Sequence, residues 1–193
     1  YRKIRMEYSN IDLFKDSKFL TKAILKHKLP TEIFKELNAF VKKADKKRKS
    51  KYNFLVQHNN HGKNSYQVSV DTSLFESSLM FGYLIKLGEH YFGSNPIERE
   101  IRVRKNTDHF DHYDFWVNFA HKNSKNSKHG HAGTLSGVIY YTDCFDCPTK
   151  FSDLTYYGKK SEVLIFPSNT IHEVETLKEN KTRITLAFNL YKI

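Results

Sequence analysis

Thr134-Leu-Ser-Gly-Val-Ile-Tyr-Tyr-Thr142, followed by Val163-Leu-Ile-Phe-Pro-Ser168 and Arg183-Ile-Thr-Leu-Ala-Phe-Asn189, decides the fold. Each segment is short and rich in β-branched and aromatic residues, the composition of a strand. In the last of them Ile184, Leu186, Phe188 and Leu190 form one apolar face, because alternate residues of a strand share a side. Arg183, Thr185, Ala187 and Asn189 form the other, small and polar. One face is therefore expected to pack against the body of the protein and the other to line a pocket.

Three histidines belong to the same stretch. His129 and His131 flank Gly130, and residues i and i+2 of a strand point to one face, so the two can bind one metal ion together. His172 opens the alternating run His172-Glu-Val174, and Lys178-Glu-Asn-Lys181 supplies polar turn residues before Arg183. Folded as a hairpin about Glu179-Asn180, this segment sets His172 opposite Ala187 and Thr176 opposite Arg183. Imidazole and guanidinium then share a face roughly 13 Å apart at the usual strand rise. A short dicarboxylate chelating a metal at one end spans that gap, since the arginine side chain covers much of it. No acidic residue lies on the matching parity of the facing strand, so a ligand carboxylate is the economical partner for Arg183.

The order of these elements resembles the Fe(II)/2-oxoglutarate dioxygenases, near their prolyl-hydroxylase branch and the related bacterial and phage oxygenases. The similarity covers roughly residues 115 to 191. It implies a double-stranded β-helix (jelly-roll or cupin-like) in a mainly β, α+β protein, with N-terminal helices packed on the outer face of one sheet. It implies Fe(II), 2-oxoglutarate and O2 as cofactor and cosubstrates, oxidative decarboxylation to succinate and CO2, and hydroxylation of an unactivated C–H bond. By the same resemblance His129 and His172 match metal ligands, Tyr141 a tyrosine that binds 2-oxoglutarate, and Arg183 the anchor for its far carboxylate. Thr185 is expected to donate to that carboxylate too. Asn118, two residues after the only tryptophan, resembles a Trp-x-Asn element and is expected to touch 2-oxoglutarate or substrate. Tyr141 lies on the parity of Leu135, Gly137 and Ile139, so Gly137 is read as leaving room beside it.

One position departs from the family pattern: His131 stands where a carboxylate is usual. Three imidazoles still suit Fe(II), with one more positive charge than the usual set. Two rival readings stay open from sequence. One is a cupin-like metal or ligand-binding protein without 2-oxoglutarate chemistry. The other is a basic module binding nucleic acid or another acidic partner, in which the histidines are incidental.

The 193 residues make one domain's worth of chain, long enough for a sizeable core. Residues 1–97 read as helical support and outer strands, and 98–193 as the β-helix core with the site. No apolar run approaches the length needed to span a bilayer. No secretory signal is evident, and two cysteines without secretory context argue for a reducing, cytoplasmic compartment. The net charge of +11 invites the nucleic-acid reading. The charge is dispersed, however, and its one dense run, Lys42 to Lys51, is most simply a solvated helix end.

Pro30-Thr31 starts a helix over 31–43, with Thr31 as N-cap and Ile33, Phe34, Leu37, Phe40 and Val41 as its buried stripe. Ser73-Leu-Phe-Glu76 has capping-box spacing, which predicts a second helix from there to about Phe92, stopped by Gly93. His58, His61, His109, His112 and His121 sit in loops or beside strands and read as structural or exposed. His121 to Lys128 reads as a polar, flexible loop leading into His129, either a lid or a solvated connection. Cys144-Phe-Asp-Cys147 lacks the second pair of a zinc site and the context of a redox motif, so it reads as a turn.

Overall fold

The computed structural model describes residues 13–49, 60–61, 65–70, 75, 78–93, 101–102 and 115–192. The chain begins with β1 (Lys18–Phe19), β2 (Leu25–Lys28), α1 (Thr31–Lys49), β3 (Asn60–His61), β4 (Tyr66–Ser69) and α2 (Leu79–Tyr91). From β5 (Ile101–Arg102) on, the described elements are all strands. These are β6 (Phe115–Ala120), β7 (Lys125–His129), β8 (Leu135–Tyr140), β9 (Thr149–Phe151), β10 (Thr155–Tyr156), β11 (Glu162–Pro167), β12 (His172–Val174) and β13 (Arg183–Lys192). They form two antiparallel sheets. The larger runs β1-β2-β11-β8-β13-β6-β4, with β5 paired to the end of β13, and the smaller β10-β9-β12-β7-β3. Two facing sheets with helices outside one of them make the double-stranded β-helix that the sequence implies.

The two helices cover one face of the large sheet. Ile33, Leu37, Phe40, Val41 and Ala44 of α1 and Met80, Tyr83, Leu84 and Leu87 of α2 are buried in one cluster with Leu135, Ile139, Val163, Ile165, Leu186, Phe188 and Leu190. Every one of those strand residues sits on the outward parity of β8, β11 or β13. Gly137 belongs to this face, but it does not serve Tyr141: a Cβ there would lie 2.1 Å from the Phe188 ring. The other face of the large sheet meets the small sheet through a second core of Tyr140, Leu164, Phe166, Phe151, Leu177 and both cysteines.

Helix boundaries follow their caps. α1 extends to Lys49 and takes in most of the basic run, where Arg48 pairs with Asp45 and its guanidinium covers the Phe119 ring. Thr31 is the first helical residue rather than the cap, since the Phe34 amide already donates to the Pro30 carbonyl. α2 starts at Leu79, later than the capping-box spacing predicts. Ser78 is its N-cap, with Oγ accepting from the Phe81 amide, and Ser73 lies outside the described residues. Glu36 of α1 reaches across to accept from the Leu79 and Met80 amides, which ties the helices together at the positive end of α2. Gly93 ends α2 at φ +70°, as expected of a residue just past the C-cap. No described helix is long and apolar enough to cross a membrane.

The structure corrects two expectations about connectivity. β12 and β13 do not form a hairpin: β12 pairs with β7 and β9 in the small sheet, β13 with β6 and β8 in the large one. The reason is Leu177, which is buried in the inner core and exchanges backbone bonds with Asn123 and Ser124, so the linking segment crosses between sheets. Nor is 121–128 a loose lid. A tight turn at His121–Ser124, with Asn123 at φ +68°, feeds β7, which is paired on both sides by β12 and β3.

Candidate metal centre and anion pocket

His129 ends β7, His172 begins β12, and the two are direct partners across the small sheet. His131 lies just past the strand end, held by its backbone amide donating to the Ser168 carbonyl at 2.8 Å. The pair therefore converges through a bend after β7 rather than through the strand parity that the sequence suggested. Ring centroids stand 4.9 Å apart for His129 and His131, 4.4 Å for His129 and His172, and 5.2 Å for His131 and His172. One ring nitrogen from each lies within 4.8 Å of the others, close enough to surround an ion.

The second nitrogen of two rings is already committed. His129 Nδ1 meets the Ser127 carbonyl at 2.7 Å, and His172 Nδ1 meets the Thr170 carbonyl at 2.9 Å. A carbonyl can only accept, so Nδ1 carries a proton in both and Nε2 is the nitrogen that can turn to a metal. Burial pushes the His131 pKa down to about 3, helped by His172 and His129. Burial also pushes His172 down to about 4, against the Thr170 carbonyl that favours the charged form. Both imidazoles are thus neutral near pH 7, the form that ligates. Phe151 and Phe166 pack against His172, and Trp116 against His131, which sets aromatic rings around the cluster.

Arg183, the first residue of β13, points into the same inter-sheet space. It is 7% exposed and, among the described residues, forms no ion pair with a carboxylate. Its Nε donates to Cys144 Sγ at 3.2 Å, Nη2 lies 3.5 Å from Thr149 Oγ1, and the guanidinium sits 5.8 Å from the Tyr140 ring centroid. Tyr140 and Thr149 hydroxyls bond each other at 2.8 Å. A buried guanidinium beside two hydroxyls is a receptor for a carboxylate.

The tyrosine in this pocket is Tyr140, and the expectation for Tyr141 is corrected. Tyr141 faces the helices, donating from its hydroxyl to Asn38 Oδ1 at 2.8 Å and stacking on Phe34. Its parity is that of Leu135 and Ile139, which is the outward face. Tyr140 is fully buried on the inward face, and Gly158 makes room for it: a Cβ at 158 would fall 2.1 Å from the Tyr140 ring.

Thr185 and Asn118 are neighbours across β13 and β6, with Asn118 Nδ2 donating to Thr185 Oγ1 at 3.5 Å. Among the described residues Asn118 Oδ1 is buried without a partner, as are Trp116 Nε1 and Asn126 Oδ1. Asn126 shares the inward side because the register slips in β7, bringing it opposite Val174 while His129 stays opposite His172. Tyr140, Thr149 and Asn126 were not legible as site residues. Tyr140 had the signal of its neighbour's Tyr-Tyr motif, and the other two had none. His121 is structural, bonded to Thr182, while His58, His109 and His112 lie outside the described residues.

No family model matches this sequence, and no curated protein does. Solved structures share its fold. SnoN, an α-ketoglutarate dependent epimerase of nogalamycin biosynthesis, is 12% identical with a TM-score of 0.61, covering 89% of this chain and 77% of SnoN. HygX of Streptomyces hygroscopicus, with nickel, 2-oxoglutarate and hygromycin B bound, is 10% identical at a TM-score of 0.58, covering 88% and 82%. A Pseudomonas putida prolyl-4-hydroxylase is 11% identical at 0.56, covering 89% and 92%. At these identities the likeness defines the fold. It is the double-stranded β-helix that these 2-oxoglutarate oxygenases share.

Proposed function

We propose that this protein is an Fe(II)- and 2-oxoglutarate-dependent oxygenase that hydroxylates an unactivated C–H bond of a second, organic substrate. The observation that carries the reading is the convergence, between the same two sheets, of three imidazoles and one buried arginine that, among the described residues, has no carboxylate partner. A cupin-like binder of metal alone gives the Nη edge of Arg183 no carboxylate to receive.

His129, His131 and His172 would hold the metal, and the fit is good: two of the rings are oriented by carbonyls behind them and all three present nitrogens inward. When bound, Fe(II) supplies the activation of O2 that couples decarboxylation of 2-oxoglutarate, to succinate and CO2, to oxidation of substrate. Arg183 binds the far carboxylate, with the Tyr140 and Thr149 hydroxyls beside it. Asn118 and Thr185 line the wall between arginine and imidazoles, where the orphaned Asn118 Oδ1 awaits a donor. The aromatic rings around the histidines exclude water from the reacting centre.

Metal stoichiometry tests the assignment of the ligands. Wild type should bind close to one equivalent of Fe(II) or Co(II) per chain. His129→Ala and His172→Ala should each lose it, and His131→Asp should retain it. Unchanged stoichiometry in both alanine variants would remove the histidines from the metal site.

A further inference from the structure

Among the described residues Arg183 has no carboxylate partner, yet a buried cation without an anion is costly. Three groups around it can carry negative charge: the Tyr140 phenol and the thiols of Cys144 and Cys147. Burial holds the phenol proton on well above the usual tyrosine range. Cys147 is likewise pushed up, by its hydrogen bond to Cys144 and by burial. Cys144 differs. It is buried at 1% exposure, and its Sγ accepts from Arg183 Nε at 3.2 Å, while in the thiol form it donates more weakly to the Thr142 carbonyl at 3.6 Å. Together the Cys147 bond and the guanidinium draw its pKa down to about 7 against the effect of burial.

The nearby carboxylates are engaged elsewhere. Asp143 accepts from the Lys160 amide and Asp146 from the Lys178 and Glu179 amides, while Glu162 holds Lys26 and Tyr156. None of them neutralises the guanidinium. The loop geometry adds a second point. A guanidinium held through Nε presents its Nη edge, and Nη2 is the atom that reaches toward Thr149. Cys144 therefore fixes both the charge and the direction of the arginine.

We propose that Cys144 is the resident counter-ion of Arg183: it pairs as a thiolate with Nε, aims the Nη edge at the pocket, and takes up a proton when a ligand carboxylate binds that edge. The pairing stands on the geometry of the thiol and guanidinium. The proton uptake rests on the function proposed above. The exchange leaves the buried charge balanced throughout. The thiolate neutralises the arginine before binding, the ligand carboxylate does so afterwards, and one proton from solvent makes up the difference on sulfur.

Two measurements separate the parts. In Cys147→Ser, which keeps a hydroxyl donor beside Cys144 and leaves one thiol in the chain, thiolate ultraviolet absorption is followed from about pH 5 to about pH 10. The same chain unfolded in urea gives the reference, expected near the ordinary thiol pKa of about 8.5. The folded midpoint should lie at least one unit below the unfolded one, and Arg183→Gln should raise it by a similar amount. A folded midpoint equal to or above the unfolded one overturns the pairing, whether or not the arginine variant folds. Calorimetry of 2-oxoglutarate binding to the metal-loaded protein at about pH 8, in two buffers of different ionisation enthalpy, then reads the proton. Wild type should take up close to one proton per ligand and Cys144→Ser none. Equal uptake in the two proteins overturns the exchange. An absence of 2-oxoglutarate binding would instead count against the proposed function and leave the thiolate titration to decide the pair.

Discussion

The two faces of the large sheet obey different rules although they are made by the same strands. On the outward face Leu135, Ile139, Val163, Ile165, Leu186, Phe188 and Leu190 meet the helices in one large apolar cluster, with His27 and the Tyr141–Asn38 pair as polar members of the same layer. On the inward face the alternate residues of β13 are Arg183, Thr185 and Asn189, all buried. The inward polar groups divide further. Ser136 satisfies Asn189 and Ser168 at the far end of the strands, at 2.6 and 2.9 Å. Near the histidines and among the described residues, Trp116 Nε1, Asn118 Oδ1 and Asn126 Oδ1 lack partners and Arg183 lacks a carboxylate. Orphaned polar groups cost stability. Three of them stand together beside the histidines, where a ligand could satisfy them, whereas His27 Nε2, opposite Val163 on the helix side, is an isolated orphan.

The largest expected effect of breaking this division lies on the outward face. Phe188 and Leu84 are fully buried there, so truncating Phe188 to alanine should cost about 3–5 kcal/mol and Leu84 about 2–5 kcal/mol. Denaturant melts would record the loss. Metal stoichiometry and 2-oxoglutarate affinity should persist in the protein that stays folded. A selective fall in ligand affinity would show that the faces are not independent.

A smaller effect sharpens the boundary between faces at two adjacent residues. Tyr140→Phe removes a hydroxyl next to Arg183 and should weaken 2-oxoglutarate by about 0.5–1.5 kcal/mol, the net value of one hydrogen bond. Tyr141→Phe removes only the bond to Asn38 and should leave that affinity unchanged, with a stability loss of similar size. Titration of both variants side by side decides it, and the reverse order would return the role to Tyr141.

That pair also shows where sequence reading ends. The polar and apolar faces of β13 were legible because ten residues of alternation leave one phase for the strand. So was the grouping of His129, His131 and His172, which the structure brings within reach of one another. Tyr140 and Tyr141 are the same residue type in succession, so composition cannot say which faces inward. Only Gly137 offered a clue, and its vacant side chain serves Phe188 on the neighbouring strand, not the tyrosine. The partner of β12 was illegible for a related reason: three residues carry too little pattern to choose a sheet, and burial of Leu177 made the choice. Thr149 reaches Arg183 only because β9 folds beside β12, a contact between distant segments that no local pattern encodes.

The central claim is that Arg183 and the three histidines together receive a metal-bound dicarboxylate. The most direct test is anaerobic titration of 2-oxoglutarate into the Fe(II)-loaded protein, followed by metal-to-ligand charge-transfer absorption, in wild type and Arg183→Lys. Wild type should develop the band. The lysine variant should keep its metal but bind at least about tenfold more weakly, about 1.4 kcal/mol, because a point charge replaces a two-pronged fork. No band in wild type, or equal affinity in the two proteins, would contradict the account.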